Sequence, residues 1–314
     1  MNNQVDNRVA VESDITTIIL TFNEEQHIAR SIKSAEQISK KIYIVDSFST
    51  DKTLDIAKSF NVNIVQNKFI NYSKQYEWAL DNLKIESSWI MRLAADEFLE
   101  DDLINEIKIK LPSISKNIVG INFKRKHIFM DKWIRFGGRY PLILLRLWRN
   151  GFGTIEDRWM DEHIIVKNGK TTTFKNNFVD HNLNNLDFFK KKHKNYAVRE
   201  AIDVLIDKLN LINISKKLDK KSSSLNAFIK RFIKEKIYNR LPFGMGPLFY
   251  FIYRYFILFG FLDGKAGLQY HYLQGYWYRT LVSKKVLELE KKISHLKNKE
   301  EILLELSRLT NRKL

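Results

Sequence analysis

The chain has 314 residues, of which 44% are hydrophobic, so it can bury a sizeable core in one large domain with an appended region. It contains no cysteine, which excludes disulfides, thiolate metal sites and cysteine nucleophiles. The formal net charge is +17, and most of the excess lies at the back: Lys and Arg outnumber Asp and Glu by 26 to 24 in residues 1–180, and by 27 to 12 in residues 181–314. Residues 1–14 lack a basic-then-apolar signal pattern and are expected to form a loose lead-in, which makes a cytoplasmic location the default expectation.

The first hundred residues alternate between short apolar runs and helical periodicity. Strands are predicted at 15–21, 42–45, 62–65 and 89–93, and helices from residue 28, at 53–60 and at 72–83. Alternation with short loops is typical of a parallel, right-handed, doubly wound sheet. The fold class is therefore α/β.

Polar side chains follow three of these strands, where open α/β sheets bind ligands. Asn23 and Glu24 follow the first strand, Asp46 the second, and Asp96 and Glu97 the fourth. We expect one pocket to collect Asn23, Glu24, Asp46 and Asp96, because the carboxyl ends of parallel strands share an edge. Amides and carboxylates there can bind a base and a ribose, while Asp96 can hold a divalent cation that bridges to phosphates. The alternative is that the last two acids simply begin the next helix. Neither GxxxxGK[ST] nor GxGxxG occurs, which argues against nucleotide hydrolases and dinucleotide-binding proteins.

These segments resemble glycosyltransferase family 2, whose members have the GT-A fold. The resemblance rests on ILTFNEE, IYIVDSFSTDKTLDIAK and WIMRLAADE. It continues through WIRFGGRYPLILLRLWR and FGFLDGKAGLQ, which are similar to the lipopolysaccharide-core glucosyltransferase branch. It covers residues 15–282 and implies a GT-A catalytic domain at 15–180, with a nucleotide-sugar half at 15–97 and an acceptor half at 98–180.

The resemblance implies a role for each matching residue. The nucleotide-sugar-binding set consists of Thr21, Asn23, Glu24, Asp46, Ser49, Asp51 and Arg92. Asp46 would hold the base and Asp51 would support its loop. Asp96 matches the last acid of the DxD motif, which ligates Mg or Mn in the family, whereas Ala94 replaces the first acid. This departure puts the strength of metal binding in doubt.

The catalytic base of the family lies on the acceptor side, where residues 159–163 read WMDEH. An inverting transfer needs a carboxylate that takes the proton from the acceptor hydroxyl. Glu162 aligns best with this base, and Asp161 is the second candidate. His163 is expected to be a structural partner. The alternative is an ordinary polar approach to a strand predicted at 164–166.

A basic and aromatic stretch between these sites is predicted to bind the acceptor. Aromatic faces stack on sugar rings, and arginines fork onto carboxylate or phosphate groups, so an anionic glycan or lipid phosphate would suit both. The alternative is a solvated basic face with the tryptophans in the core. The predicted acceptor-binding residues are Trp133, Arg135, Arg139, Tyr140 and Arg146.

Residues 181–283 change to long, lysine-rich amphipathic helices, predicted at 186–211 and 225–241. The segment 248–262 carries one charge and falls short of the roughly 20 residues that a spanning helix needs. We predict that it lies at the surface of an anionic membrane, with a core helix as the alternative. Residues 284–314 are predicted to form an exposed helix through which a homo-oligomer could assemble.

The leading hypothesis is an inverting, metal-assisted transferase at the cytoplasmic face of the cell membrane. It would move a hexose such as glucose from a UDP-sugar to a lipid-linked, lipopolysaccharide or capsule glycan. One alternative is a nucleic-acid-binding protein, but acidic loops would repel phosphate unless a cation intervened. Another is a degraded transferase that binds nucleotide sugar without turnover, which Ala94 allows. We expect a UDP-sugar, a glycan acceptor and a membrane as partners, and no nucleic acid.

Overall fold

A mixed β-sheet forms the centre of residues 15–181 in the computed structural model, which describes residues 14–159, 162–211, 245–312 and 314. Within these residues the strands are β1 (Ile15–Thr21), β2 (Lys41–Asp46), β3 (Asn63–Gln66), β4 (Trp89–Ala94), β5 (Glu97–Leu99), β6 (Ile118–Phe129), β7 (Lys132–Trp133), β8 (Leu142–Arg149), β9 (Gly153–Ile155), β10 (Ile164–Val166) and β11 (Lys170–His181). The helices are α1 (Ile28–Glu36), α2 (Thr53–Lys58), α3 (Tyr72–Asn82), α4 (Asp101–Lys110), α5 (Leu186–Leu209), α6 (Met245–Ile252), α7 (Gly264–His271), α8 (Tyr278–Ile293) and α9 (Lys299–Thr310).

The strand order is β3-β2-β1-β4-β8-β6-β11-β5, with β7 added to β6 and with β9 and β10 forming a separate pair. β3, β2, β1 and β4 are parallel, as the alternating pattern predicted. From β8 onward the sheet is mixed, because β8 runs antiparallel to both β4 and β6. The α/β prediction with a GT-A-like arrangement is confirmed.

The core beneath this sheet explains why the first four strands could be predicted. Alternate residues of β1, among them Ile15 and Ile19, face α1, which buries Ile28 and Ile32 against them. The opposite side of β1 is buried as well, because Ile18 packs in a second cluster around Trp148. A strand covered on both faces reads as a continuous apolar run.

The strand register aligns the carboxyl ends of the parallel strands with one another. Thr21 at the end of β1 pairs with Asp46 at the end of β2, and Leu20 pairs with Ala94 at the end of β4. The loops that follow therefore leave the sheet along one edge, as predicted.

The C-terminal part differs from the prediction. Residues 284–314 form most of α8 and all of α9 rather than one exposed helix, and one apolar side of these helices is buried against α5. The predicted exposure is wrong because the heptad-like leucines and isoleucines have a partner within the same chain. The buried set is Leu289, Ile293, Ile302 and Leu306, which meet Ala201, Ile202, Leu205 and Ile206. The helix predicted at 225–241 lies outside the described residues.

The segment predicted as one interfacial helix is broken. α6 continues into a π-helical turn at Tyr253–Ile257, and a 3₁₀ turn follows at Gly260–Asp263. Phe259 between them has a φ of 58°, a left-handed conformation that ends the helix. No single helix among the described residues could cross a membrane on its own, but Met245–Ile257 and Gly260–Ile293, bent by 74°, have a sufficient length and composition when taken together.

Candidate active site at the carboxyl edge of the sheet

Asp46 is the most densely bonded carboxylate of the edge. Its Oδ1 accepts from Thr21 Oγ1 at 3.1 Å and from Ser49 Oγ at 2.5 Å. Its Oδ2 accepts from the Ser49 backbone N–H at 2.9 Å and from Gln66 Nε2 at 3.0 Å. The side chain is fully buried, so these bonds replace the water that it loses. Asp46 therefore fixes the loop after β2 against the ends of β1 and β3.

The loop after β1 is tied to the same structure. Asn23 has a φ of 55°, and its Oδ1 accepts from the Thr50 N–H at 2.8 Å. Its own N–H donates to Ser49 Oγ at 2.9 Å. Asp51 accepts hydrogen bonds from the N–H and the hydroxyl of Thr53 and from the N–H of Glu25. Burial acts to raise the pKa of Asp51, but these hydrogen bonds outweigh it and lower the pKa. The two loops thus form one unit, to which the hydrogen bonds of Asp51 contribute.

Asp96 lies at the end of β4 and reaches the same edge from the other side. Its Oδ2 accepts from Asn182 Nδ2 at 3.0 Å, directly after β11. The next residue, Leu183, donates its N–H to His27 Nε2 at 2.8 Å, and His27 Nδ1 lies 2.7 Å from Glu24 Oε2. A chain of short contacts therefore joins Asp96 to the loop that carries Glu24.

Glu97, although adjacent to Asp96, points into the protein. It accepts from the Ala94 N–H at 2.9 Å and from Arg146 Nη2 at 2.5 Å. Burial raises the pKa of its carboxyl against the opposing effect of Arg146, and the charges of Asp180 and Asp96 add to the rise. Only one of the two adjacent acids is thus available at the edge. Arg146 is also buried, which separates it from the other predicted acceptor-binding residues.

Glu162 is held by Arg92, whose guanidinium bonds its Oε1 and lies 5.5 Å from the ring centre of Tyr76. Burial acts to lower the pKa of Arg92, but the charge of Glu162 raises it. The prediction that Arg92 contacts the nucleotide sugar stays a prediction, since its bonds among the described residues go to Glu162. Asp161 lies outside the described residues. His163 Nδ1 lies 3.2 Å from Glu156 Oε2, in line with a structural role.

Three of the predicted acceptor-binding residues come together beyond β7. The rings of Trp133 and Tyr140 meet edge to face with centres 4.9 Å apart, and Arg135 Cζ lies 5.3 Å from the Trp133 ring centre. Tyr140 Oη donates to Asn177 Oδ1 at 2.9 Å. Arg139 turns away from this group toward the ring of Tyr270, at 5.1 Å.

Lys192 on α5 is a residue of the edge that the sequence analysis missed. Burial acts to lower the pKa of its ammonium group, but Tyr196, Asp96, Tyr72 and Glu24 together raise it well above its ordinary value. The ammonium lies 5.7 Å from the ring centre of Tyr196, and the raised pKa keeps it protonated at neutral pH. The only sequence signal was its place in a run of lysines that resembled a solvated helix face.

The edge offers a divalent metal one carboxylate. Residues 14–159, 162–211 and 245–312 contain no cluster of three or more His, Asp or Glu side chains that could bind a metal ion. Mg²⁺ commonly binds through one or two carboxylates and fills its other positions with water and substrate phosphate oxygens. Asp96 fits that role, with one oxygen bonded by Asn182. The side chains fit a metal that arrives with a diphosphate better than a preformed metal site.

Comparisons with known proteins find a family model and several relatives that this chain matches. A family model described as glycosyl transferase family 2 matches residues 16–181, just over half of the chain. Relatives named as uncharacterized glycosyltransferases occur in Rickettsia bellii, at 37% identity, and in Rickettsia typhi, at 35% identity, each over 94 residues. These matches cover 30% of this chain and 31% and 32% of the relatives, so the chain spans about a third of the length of the curated relatives it matches.

Solved structures that align with the chain include mannosyltransferase PcManGT from Pyrobaculum calidifontis in complex with GDP-Man and Mn²⁺. It is 12% identical with a TM-score of 0.49, covering 87% of this chain and 85% of that one. S. aureus TarS 1-349 in complex with UDP-GlcNAc is 12% identical with a TM-score of 0.43, covering 90% and 91%. The family match ends at the last residue of β11, so the strands whose ends carry Asp46 and Asp96 fall within it. Because the family model matches more than half of the chain, the chain belongs to glycosyltransferase family 2.

Proposed function

We propose that the chain transfers a hexose from a UDP-sugar to a glycan hydroxyl, with inversion at the anomeric carbon. The observation that carries this proposal is the common edge of β1, β2 and β4. There Ser49 Oγ bonds both the Asn23 N–H and Asp46, and contacts through Asn182, Leu183 and His27 connect Asp96 to Glu24. Base, ribose and diphosphate would bind along this edge in that order. Both oxygens of Asp46 are already engaged, so a uracil N–H would compete with Gln66 Nε2 for its carboxylate.

The charge of the departing diphosphate needs compensation. A divalent cation, Mg or Mn, held by Asp96 would supply it as a Lewis acid. Lys192 adds a positive charge at the same edge. This charge matters more here because Ala94 replaces the first acid of the DxD motif and leaves the cation with one carboxylate fewer. The diphosphate would thus be compensated by the cation on Asp96 and directly by Lys192.

Glu162 would accept the proton of the acceptor hydroxyl. Arg92 orients its carboxylate through the buried contact between them. The acceptor would lie against Trp133, Arg135 and Tyr140, which combine an aromatic face with a guanidinium. A glycan with an anionic group, carried on a lipid as in lipopolysaccharide or capsule synthesis, suits this chemistry.

The proposed place of action is the cytoplasmic face of the membrane. α6 and the turns that follow it expose many large apolar side chains, a surface that a monomeric protein rarely leaves uncovered. They include Leu248, Phe249, Ile252, Tyr253, Phe256, Ile257, Phe259, Phe261 and Leu262. Contact with a membrane would bring the enzyme to a lipid-carried acceptor.

A donor screen tests the proposal. UDP release is measured for a panel of UDP-sugars with a lipid-linked glycan acceptor, with and without Mn²⁺. Asp96→Asn should reduce release at least tenfold, since one ligand of the cation is lost. Asp101→Asn removes an exposed acid of α4 as the matched control and should leave release unchanged.

The outcomes separate the alternatives. UDP binding by calorimetry without sugar release would indicate a degraded transferase. Absence of both, together with tight binding of nucleic acid, would contradict the proposed activity.

A further inference from the structure

Two arginines, the buried Arg254 and the half-buried Arg139, have no carboxylate partner among the described residues. Arg254, on the π-helical turn after α6, is 5% exposed, and its Nε donates to the carbonyl oxygen of Gly137 at 2.8 Å. Its Nη2 and the Nε of Arg139 are buried and lack hydrogen-bond partners. Neither guanidinium forms an ion pair with any carboxylate that the structure describes. An uncompensated buried charge is costly, so such a pair calls for a counter-ion.

The groups around these arginines do not supply that counter-ion. Tyr250 Oη lies 3.5 Å from Arg254 Nη1, and burial, which raises its pKa, is outweighed by Arg254, Arg279 and Arg139, which lower it. A phenol responds in this way to a positive surrounding potential. Arg139 is among the groups that lower the pKa of Asp180, but the carboxylate of Asp180 already forms an ion pair with Arg125 at 3.3 Å.

His271 closes the cluster on the inner side. Its ring is fully buried between Gly137 and Gly260, where an added Cβ would lie 2.1 Å and 2.5 Å from ring atoms. Both ring nitrogens lack a partner. Burial and the two arginines lower its pKa to about 3, so it is neutral and keeps one N–H to donate.

The same helical segment has an apolar outer side. Tyr250 and Arg254 point inward, whereas Phe249, Phe256 and Ile257 point outward with exposures of 48%, 53% and 62%. The unpaired guanidiniums thus lie directly beneath an exposed apolar surface. A ligand that satisfies both must be an amphiphile with an anionic head.

We propose that Arg139 and Arg254 bind the phosphate group of a membrane lipid whose acyl chains rest on the apolar surface of residues 248–262. Guanidinium groups fork onto phosphate oxygens with two parallel hydrogen bonds, and Tyr250 and His271 can each donate one more. The site deepens the proposed membrane attachment and rests on it. It does not depend on sugar transfer.

The test measures binding of full-length protein to short-chain, water-soluble phosphatidic acid by calorimetry, with no sugar donor present. Arg139→Gln and Arg254→Gln should each weaken binding by roughly tenfold or more, as expected for loss of a charge-assisted hydrogen bond. Lys265→Gln, which removes an exposed charge on the neighbouring α7, should change it less than about twofold. Co-sedimentation with phosphatidylcholine vesicles, with and without phosphatidic acid, should follow the same order.

Several results would overturn the assignment. Equal weakening by all three substitutions would indicate general attraction between charges rather than a site. Inorganic phosphate that binds as tightly as the lipid would remove the acyl chains from the proposal. Arg254 also holds the Gly137 carbonyl, so if its variant fails to fold, Arg139→Gln decides the question. Since no sugar donor is used, a failure here leaves the donor screen unaffected.

Discussion

At the scale of single residues, Glu162 combines two roles that are usually kept apart. It is the proposed proton acceptor, and it is also half of a largely buried ion pair with Arg92. Breaking a buried pair by removing one charge commonly costs about 3–5 kcal/mol, so activity and stability must be measured together.

We predict that Glu162→Gln lowers turnover by about two to four orders of magnitude, because glutamine cannot accept the acceptor's proton. The amide keeps the shape and can still bond Arg92, so UDP binding by calorimetry should stay near that of the wild type. Turnover is measured as UDP release at saturating donor.

Glu86→Gln, at an exposed position, is the control for the loss of a carboxylate and should be neutral. Thermal unfolding of both variants checks that they fold. A folded Glu162→Gln protein with a wild-type rate would remove this residue from the mechanism.

The sequence identified most residues of the edge but not their directions. Asp46, Asn23 and Asp96 could be grouped because each follows a strand of a parallel sheet. That Glu97 turns inward depends on Arg146, which lies on β8 and is brought beside it only by the antiparallel half of the sheet. Lys192 could not be distinguished from the lysines around it, because its position follows from the packing of α5 across the edge.

At the scale of elements, α5 is held to the C-terminal region through His193. Its Nδ1 donates to the Phe189 carbonyl at 2.8 Å, and its Nε2 lies 2.7 Å from Gln274 Nε2. Burial lowers the pKa of His193 from 6.5 to about 4, against the hydrogen bond to Phe189 and with help from Lys192 and His127.

This lowered pKa predicts a loss of stability in mild acid. The unfolded chain takes up the proton near pH 6.5 and the folded protein only near pH 4. The free energy of unfolding should therefore be full above pH 6.5, fall between pH 6.5 and pH 4, and lose on the order of 3 kcal/mol from this group.

Urea unfolding at several pH values measures the slope of the free energy of unfolding against pH. His193→Gln should flatten it, and His295→Gln, at an exposed histidine of the same region, should not. An unchanged slope in the first variant would assign the acid sensitivity to other groups.

Element prediction from sequence succeeded where one pattern dominated. β1 was predicted with its observed limits because a β-branched run covered on both faces admits few alternatives. β5 was not predicted, since three residues directly after the edge carry no periodicity. The helix predicted across 248–262 ends at Phe259, which has a left-handed φ and precedes Gly260, a residue packed closely against His271.

At the scale of the whole molecule, the C-terminal helices complete a second core on α5. Leu306 of α9 is 0% exposed within that cluster, whereas Leu304 on the opposite side of the helix is 74% exposed. Leu306→Ala should lower the free energy of unfolding by about 2–5 kcal/mol, and Leu304→Ala should change it by less than about 0.5 kcal/mol.

Chemical denaturation of the two variants is the measurement. Similar values for both would mean that α9 does not dock on α5 in solution. Self-association through this region stays a prediction. Light scattering tests it, and an unchanged mass for Leu304→Ala, with its outward leucine removed, would argue against this face as a contact.

α5 has a geometric consequence for the choice of acceptor. This continuous helix of 24 residues is roughly 36 Å long. It carries Lys192 near its beginning, beside the edge of Asp96 and Glu24. Leu205 and Ile206 lie near its end, in the second core. Residues 272–279, on which the apolar surface of residues 248–262 packs, contact α5 near its beginning, where Gln274 Nε2 lies 2.7 Å from His193 Nε2. If that apolar surface rests on a lipid bilayer, the edge beside Lys192 would stand close to the bilayer. Acceptors whose terminal sugar lies near the bilayer would then be favoured, so the length of the glycan already built would count as much as its chemistry.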